Sequence, residues 1–412
     1  MTIVPLHRSR TDEHQNTSGS PARLESLTGL RWFATFGVFL SHVNILLPLP
    51  HTRGLFSLGE SGVSLFFMLS GFVLAWNWTP KDTAKAFYGR RFARVWPLLF
   101  VAVAIPTLFA ATAEGGGPVA HLLLISLSAV LLVQAWVPGW ILLGASPVTW
   151  SLSCEAFFYG VFPATMRRLH GAKVRSLVLL VCAAVVLLWV IRISLWFAYP
   201  PTREVSSLDG YGPAVFAIYS PISRIPQFLI GMAVAIAMRR GWRAVSVRTA
   251  VLAMLVPFVV LWLLRGYEFR SAVLFDGVDT AVTPFFALFI AALARRDVEG
   301  GKSFLRNRPM VRLGQWSYAF YLFQFTVLLP VALSANPGKH VADFFTDPLA
   351  PSTGYIGYAL LALAITLGIS AFFYRFLEHP LETRIRRRLR PASAPGSANA
   401  QDKARSEGLS LT

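Results

Sequence analysis

The chain has 412 residues, of which 55% are hydrophobic and only 14% are charged, with a formal net charge of +18 at pH 7. This composition excludes an ordinary soluble domain, because repeated apolar runs of transmembrane length indicate a polytopic helical membrane protein. The charge does not indicate nucleic-acid binding, since the Lys and Arg residues lie in short segments between apolar runs. The cysteines, Cys154 and Cys182, provide neither a metal-ligand spacing nor a disulfide framework.

The two ends of the chain are expected to lie outside the membrane domain, which we place at 23–390. Residues 1–22 are polar, carry no signal-peptide pattern and are predicted to form a disordered cytoplasmic segment. Residues 391–412 are small, polar and proline-containing, which predicts a disordered cytoplasmic tail. Eleven apolar runs lie between these ends, near 30–48, 60–78, 96–112, 119–137, 150–166, 176–198, 222–238, 249–265, 280–294, 314–333 and 355–375.

The distribution of basic residues predicts how these runs cross the membrane. Lys and Arg mark the cytoplasmic side, and the basic clusters of this chain can all be cytoplasmic only if the run at 119–137 does not cross. We therefore predict an all-α bundle of about ten transmembrane helices with both termini cytoplasmic, and one re-entrant or non-crossing segment at 119–137. The loops on the opposite side are acidic, with Asp279 among their carboxylates.

The first apolar run contains an ionisable residue, His42. A charged side chain at the centre of a membrane helix costs about 2.5 kcal/mol or more, so such residues usually have a function. A neutral imidazole can take a proton from a hydroxyl near neutral pH. The alternative is a histidine that only forms a hydrogen bond between packed helices. Arg31 precedes it in an Arg-x10-His spacing.

A compact cationic group, Arg90, Arg91 and Arg94, lies after the second apolar run, at the start of a helix, in the segment FYGRRFARVWP. Arg90 and Arg94 are separated by one helical turn and are predicted to share a face. Arginine suits the recognition of several phosphate groups at once. The alternative is ordinary anchoring by positive charge on the cytoplasmic side.

Glu155, in TWSLSCEAFFYGVFP, is the only carboxylate that falls well inside a predicted span. It could pair with an arginine, orient His42 or stay protonated, or it could simply hydrogen-bond between helices. Arg224 lies in PISRIPQF, where prolines can bend a helix and open a cavity. Tyr318 and Tyr321, in LGQWSYAFYLFQF, are more often packing residues than site residues at such positions.

Read together, five segments in this order resemble the membrane-bound acyltransferase family 3 of bacterial O-acyltransferases: LTGLRWFATFGVFLSH, GVSLFFMLSGFVL, FYGRRFARVWP, VTWSLSCEAFFYGVFP and LGQWSYAFYLFQF. The resemblance implies transfer of an acyl group, often acetyl, from a coenzyme A thioester to a carbohydrate-type hydroxyl. His42 matches the family's essential histidine and Arg31 its partner. Arg90 and Arg94 match an arginine pair associated with acyl-donor binding. The family's Trp-Ser-Leu segment with its acidic residue corresponds to Trp150, Ser151, Glu155 and Tyr159.

The chain also departs from the family pattern at three positions. Ala156 stands where a second acid often follows Glu155, Ser64 where an Asp is common, and Gln324 where a His is common. We therefore assign no role to these three positions.

The resulting hypothesis is a multi-pass O-acyltransferase of the bacterial inner membrane that uses acyl-CoA and no metal. Its predicted catalytic residues are His42, Glu155 and Arg31, and its acyl-CoA-binding residues are Arg90, Arg91 and Arg94. We expect the sugar-containing acceptor, either a natural product such as a macrolide or a surface glycan, to contact Trp150, Ser151, Tyr159, Tyr318 and Arg224. One alternative is a transporter or flippase that uses buried His42 and Glu155. Another is a membrane sensor or assembly protein whose arginines bind lipid.

Overall fold

The computed structural model describes residues 23–112, 119–141, 146–198, 212–263, 273–341, 343–347 and 349–388. The two predicted disordered ends lie outside these residues. The described part is helical, without β-strands. Its α-helices are α1 Glu25–Leu46, α2 Arg53–Phe56, α3 Ser61–Asn77, α4 Ala84–Thr112, α5 Val119–Val130, α6 Trp150–Leu169, α7 Val174–Ala198, α8 Gly212–Tyr219, α9 Pro221–Arg239, α10 Val247–Leu263, α11 Val273–Val298, α12 Arg308–Ala335, α13 Asp343–Thr346, α14 Tyr355–Phe373 and α15 His379–Arg388. Short 3₁₀ turns lie at Ser57–Glu60, Gln134–Trp136, Pro147–Thr149 and Phe304–Arg306, and a π-helical turn at Tyr374–Glu378.

Seven helical stretches within the described residues are long and apolar enough to cross a membrane, which confirms a polytopic membrane protein. Helices α1 and α6 have 22 and 20 residues but carry polar side chains such as Arg31, His42 and Glu155. The count of ten spans and the location of the termini stay predictions. The seven stretches are Gly54–Asn77, Ala84–Thr112, Val174–Leu195, Val215–Arg239, Val278–Val298, Arg308–Ala335 and Tyr355–Ile385.

The segment predicted not to cross the membrane forms a short helix followed by irregular turns. Helix α5 has 12 residues, which is about 18 Å of rise against about 30 Å of hydrocarbon. The helix ends at Val130, and Leu132, two residues later, has a left-handed φ of 59° with which no α-helix can continue. Gln134 then accepts a hydrogen bond from Thr149 Oγ1 at 2.5 Å and donates one to the Ile141 carbonyl at 2.8 Å. These bonds hold the turns against the start of α6.

The centre of the bundle is formed by α1, α3, α9 and α12. Helices α3 and α9 approach closely because Gly71 faces the Phe228 carbonyl and Gly231 faces the Met68 carbonyl, where a Cβ would collide. Helix α1 packs on α12, where the Phe320 ring lies 5.2 Å from the Trp32 ring and 5.6 Å from the Phe39 ring. The peripheral helices expose large apolar side chains, as a lipid-facing surface requires; examples are Phe100, Phe109, Leu179, Leu252 and Leu360.

Candidate active site

His42 lies on a cavity of about 190 Å³, here called the His42 cavity, whose lining also includes Trp150, Arg192, Arg224 and Asp279. The His42 side chain is half-buried, and Phe325 packs edge-on against its ring at 5.3 Å. The Nδ1 atom is buried and makes no hydrogen bond of normal geometry with the described residues. Nε2 is therefore the nitrogen through which the imidazole can reach a molecule in the cavity.

The lining of the same cavity carries a buried ionic cluster, Arg192–Asp279–Arg224. Arg192 Nη2 donates to the two carboxylate oxygens of Asp279 at 3.0 and 3.2 Å, and Arg224 Nη1 donates to the same carboxylate. Ser64 Oγ also donates to it, at 3.4 Å. All three charged residues are buried. In a low-dielectric interior, such charges are tolerated only when they are paired and hydrogen-bonded.

Two expectations about acidic residues are corrected by this cluster. Asp279 is not a loop carboxylate but a buried residue of the spanning stretch Val278–Val298, and Glu155 is thus not the only carboxylate within a span. Glu378, 3% exposed, is a further one in Tyr355–Ile385. Asp279 directly precedes the apolar run at 280–294. Extending that predicted span by one residue would have included Asp279. Ser64, to which no role was assigned, is a hydrogen-bond partner in the cluster.

Aromatic rings cover the Arg224 guanidinium on the cavity wall. Its Cζ atom lies 5.7 Å from the centre of the Trp150 ring and 5.5 Å from that of Tyr219. The two rings meet edge to face at 4.7 Å. Two of the predicted acceptor-binding residues, Trp150 and Arg224, are therefore brought to the cavity that contains His42.

A second cavity, of about 100 Å³, is here called the arginine cavity because Arg31, Arg91 and Arg94 line it. Tyr159 donates to a Glu155 carboxylate oxygen at 3.1 Å. Arg91 packs against the Tyr159 ring, with Cζ 5.8 Å from its centre. Besides the three arginines, this lining contains four more of the predicted site residues, which are Ser151, Glu155, Tyr159 and Tyr318.

The three arginines of the predicted donor site have different surroundings. Arg94 is bridged to Glu382 at 3.5 Å and to Glu378 at 3.8 Å. Arg91 carries no carboxylate partner at salt-bridge distance within the described residues, and its Nε is buried without a hydrogen bond. Arg90 does not line the cavity; it forms an ion pair with Asp82 at 3.1 Å. Of the predicted pair Arg90 and Arg94, only Arg94 therefore reaches the cavity.

The predicted catalytic group is divided between the two cavities. Eleven residues make about three turns and 16 Å of helix, so Arg31 and His42 lie on one face of α1 but at different depths. Arg31 and Glu155 line the arginine cavity, whereas His42 lines the other. The two linings have Val63 and Tyr321 in common. Sequence reasoning included Tyr318 in the site but not Tyr321, since tyrosines in such an apolar segment are more often packing residues than site residues.

No group of three or more His, Cys, Asp or Glu residues within the described ranges could hold a metal ion. The polar groups of the two cavities are instead arginines, hydroxyls, carboxylates and one imidazole. These groups can bind anions and oxygen-rich molecules and can move a proton.

Comparison with known proteins identifies the family. A family model described as an acyltransferase domain matches residues 24–375, most of the chain. The chain belongs to the membrane-bound acyltransferase family 3. The resemblance seen in the five motifs is thereby confirmed, and the cavities lie in a membrane acyltransferase.

Individual relatives differ in how much of their length this chain covers. Acyltransferase MdmB of Streptomyces mycarofaciens is 34% identical over 394 residues, which cover 91% of this chain and 96% of MdmB. O-acetyltransferase OatA of Staphylococcus aureus is 21% identical over 389 residues, 89% of this chain but only 58% of OatA. Nodulation protein 10 of Rhizobium leguminosarum bv. viciae is 25% identical over 323 residues, 73% of this chain and 81% of that protein. No solved structure matches.

Proposed function

We propose that this protein transfers a short acyl group from acyl-CoA to a hydroxyl of a sugar-containing acceptor in a bacterial inner membrane, with His42 as the general base. The observation that carries the proposal is the meeting of two unlike cavities at Tyr321. One offers cationic groups for an anionic donor, and the other offers an imidazole for a hydroxyl. Membership of an acyltransferase family supports the reaction class.

The arginine cavity is the proposed donor site. The phosphates of coenzyme A are multiply charged, and guanidinium groups bind phosphate through paired, charge-assisted hydrogen bonds. Arg91, which has no carboxylate at salt-bridge distance among the described residues, is more available on this wall than Arg94, which is paired with Glu378 and Glu382. Arg31 and Arg94 add positive charge beside it. The thioester end of the donor then extends toward Tyr321.

The His42 cavity is the proposed acceptor site. The acceptor hydroxyl gives its proton to Nε2 of His42 as its oxygen bonds to the thioester carbonyl carbon. The carbon–sulfur bond breaks, and the departing CoA sulfur takes the proton back from the imidazolium. The products are an ester and free CoA thiol, so His42 returns to its neutral form.

The acceptor is proposed to stack on the aromatic wall formed by Trp150 and Tyr219. Flat rings suit the apolar face of a sugar, and the neighbouring Arg224 can donate to its oxygens. The acceptor is either a glycosylated natural product or a surface glycan. That OatA is named an O-acetyltransferase supports acetyl as the transferred group.

The deciding experiment compares membranes that contain the wild type, His42→Ala or His121→Ala. Each preparation receives labelled acetyl-CoA, longer acyl-CoAs and a panel of glycosides, and the products are read by mass. Loss of a general base typically costs about 10²–10⁴-fold in rate, so His42→Ala should lose the O-acyl product. His121 is an exposed histidine on neither cavity and should leave the rate unchanged.

Two outcomes would overturn the proposal. Near-normal transfer by His42→Ala would remove the histidine from its role as base. Absence of product from a folded protein that also fails to bind CoA would favour the transporter, for which buried charges and two cavities in a helix bundle are equally suitable.

A further inference from the structure

The two cavities share a wall, and that wall contains Tyr321 and Val63. Tyr321 lies on α12 and is 7% exposed. Its hydroxyl group is 2.7 Å from Ser151 Oγ and donates to the Val148 carbonyl at 3.1 Å. The Phe66 ring packs edge-on against the phenol at 6.0 Å. Tyr321 is thus anchored at its hydroxyl end by the segment that opens α6.

The contacts that hold the Tyr321 hydroxyl in place are weak enough for the side chain to move. Both hydrogen bonds join neutral groups, and such bonds contribute modestly and are readily exchanged for bonds to other partners. A rotation about the side-chain bonds of Tyr321 would therefore join the two cavities without breaking a charged contact.

The proposed reaction requires that the cavities be joined. A donor held by Arg91 and Arg94 has its thioester on one side of Tyr321, while the base, His42, is on the other. The acyl carbon and the acceptor oxygen can bond only at or past the position of the phenol. A closed Tyr321 therefore separates the reactants, and an open one brings them together.

We propose that Tyr321 is a positioning residue that separates the acyl donor from the water of the His42 cavity until the acceptor is bound. This inference rests on the proposed function. Without the partition, water can replace the acceptor: it gives a proton to His42 and its oxygen bonds to the acyl carbon. The carbon–sulfur bond then breaks to leave a carboxylic acid and CoA thiol. Exclusion of water from a reactive intermediate is a general requirement of transfer enzymes.

The first test measures hydrolysis of acetyl-CoA without acceptor and transfer with acceptor, for Tyr321→Ala and Tyr321→Phe. Tyr321→Ala removes the partition and should raise the ratio of hydrolysis to transfer by about tenfold or more. Tyr321→Phe keeps the ring but loses both hydrogen bonds, so its ratio should lie between those of Tyr321→Ala and the wild type. The matched control is Tyr355→Phe, which removes a hydroxyl that donates to Asn336 and lines neither cavity. An unchanged ratio in Tyr321→Ala would overturn the proposal.

The second test measures whether Tyr321 separates the two cavities, and it does so by thiol labelling without the acyl-transfer reaction. Ser317, in the lining of the arginine cavity, is changed to Cys in a chain that carries Cys154→Ala and Cys182→Ala. A charged, membrane-impermeant thiol reagent is applied to each face of oriented vesicles in turn. With Tyr321 present the introduced thiol should be reached from one face only, and with Tyr321→Ala from both faces.

The two tests separate failure of this inference from failure of the proposed function. Suppose that Tyr321→Ala changes the labelling of the introduced thiol but His42→Ala retains full transfer. The role of Tyr321 as a partition is then supported, and the assignment of His42 as the base is wrong. If transfer requires His42 while labelling and hydrolysis are unchanged in Tyr321→Ala, only the proposal that Tyr321 separates the cavities is wrong. Labelling of the introduced thiol from both faces in the presence of Tyr321 would also contradict the partition.

Discussion

Arg192 and Asp279 are 87 positions apart in the chain, yet Nη2 of the arginine lies 3.0 and 3.2 Å from the two carboxylate oxygens in the wall of the His42 cavity. Arg224 shares the same carboxylate. Two guanidinium groups and one carboxylate leave a net positive charge beside the proposed base. That charge can be held inside a membrane protein only because each arginine has the same counter-ion.

Removing the shared carboxylate should therefore destabilise the fold. Asp279→Asn would leave two buried guanidinium groups without a counter-charge, and breaking a buried ion pair in this way costs about 3–5 kcal/mol. Thermal unfolding in detergent would measure the loss. The control is Asp347→Asn, which removes a solvent-exposed ion pair with Lys339 and should leave the unfolding midpoint unchanged. An unaltered midpoint in Asp279→Asn would show that the cluster does not stabilise the bundle.

A carboxylate placed on the neighbouring helix should restore part of that stability. Ser64 Oγ lies 3.4 Å from the Asp279 carboxylate and 3.5 Å from Nη1 of Arg224. The double variant Ser64→Asp with Asp279→Ser moves the negative charge from α11 to α3 while keeping it beside Arg224. Its unfolding midpoint should exceed that of Asp279→Ser alone, because the arginines regain a counter-charge. Equal midpoints would mean that the position of the carboxylate on α11 is indispensable.

The three adjacent arginines should differ in their effect on the donor. Arg91 lines the arginine cavity, whereas Arg90 is paired with Asp82 outside it. Loss of a charge-assisted hydrogen bond of about 1.5–3 kcal/mol corresponds to roughly 10–100-fold in affinity. Arg91→Ala should raise the KM for acyl-CoA by that factor and Arg90→Ala should change it little. An equal effect of both variants would instead indicate a general electrostatic attraction of the donor to this face.

The aromatic wall should affect the acceptor and not the donor. Trp150 lines the His42 cavity, and its ring packs against the Arg224 guanidinium. Trp150→Ala removes a stacking surface worth about 0.5–1.5 kcal/mol, which predicts roughly a two- to tenfold rise in the KM for the acceptor. Trp150→Phe keeps a ring and should be affected less. A rise in the KM for acyl-CoA instead would place the donor in this cavity and contradict the proposed arrangement of the two substrates.

Much of this protein could be predicted from short-range pattern alone. Bilayer thickness and the need to satisfy every backbone group force long apolar runs into helices, so the helical bundle and the short α5 segment were predictable. The pitch of the helix likewise places Arg31 and His42 on one face of α1. Five motifs in order were sufficient to predict the family.

Only the tertiary structure decided which of these residues face each other. Arg31 and His42 open onto different cavities whose linings have Tyr321 of α12 and Val63 of α3 in common, and no spacing within α1 contains that fact. Asp279 was predicted to lie in a loop because it stands just before an apolar run among other acidic residues; the two arginines that stabilise it inside the bundle come from α7 and α9. Local periodicity determines which side of a helix is apolar, whereas the partner of a buried charge depends on how separate helices pack, a long-range property that one sequence does not display.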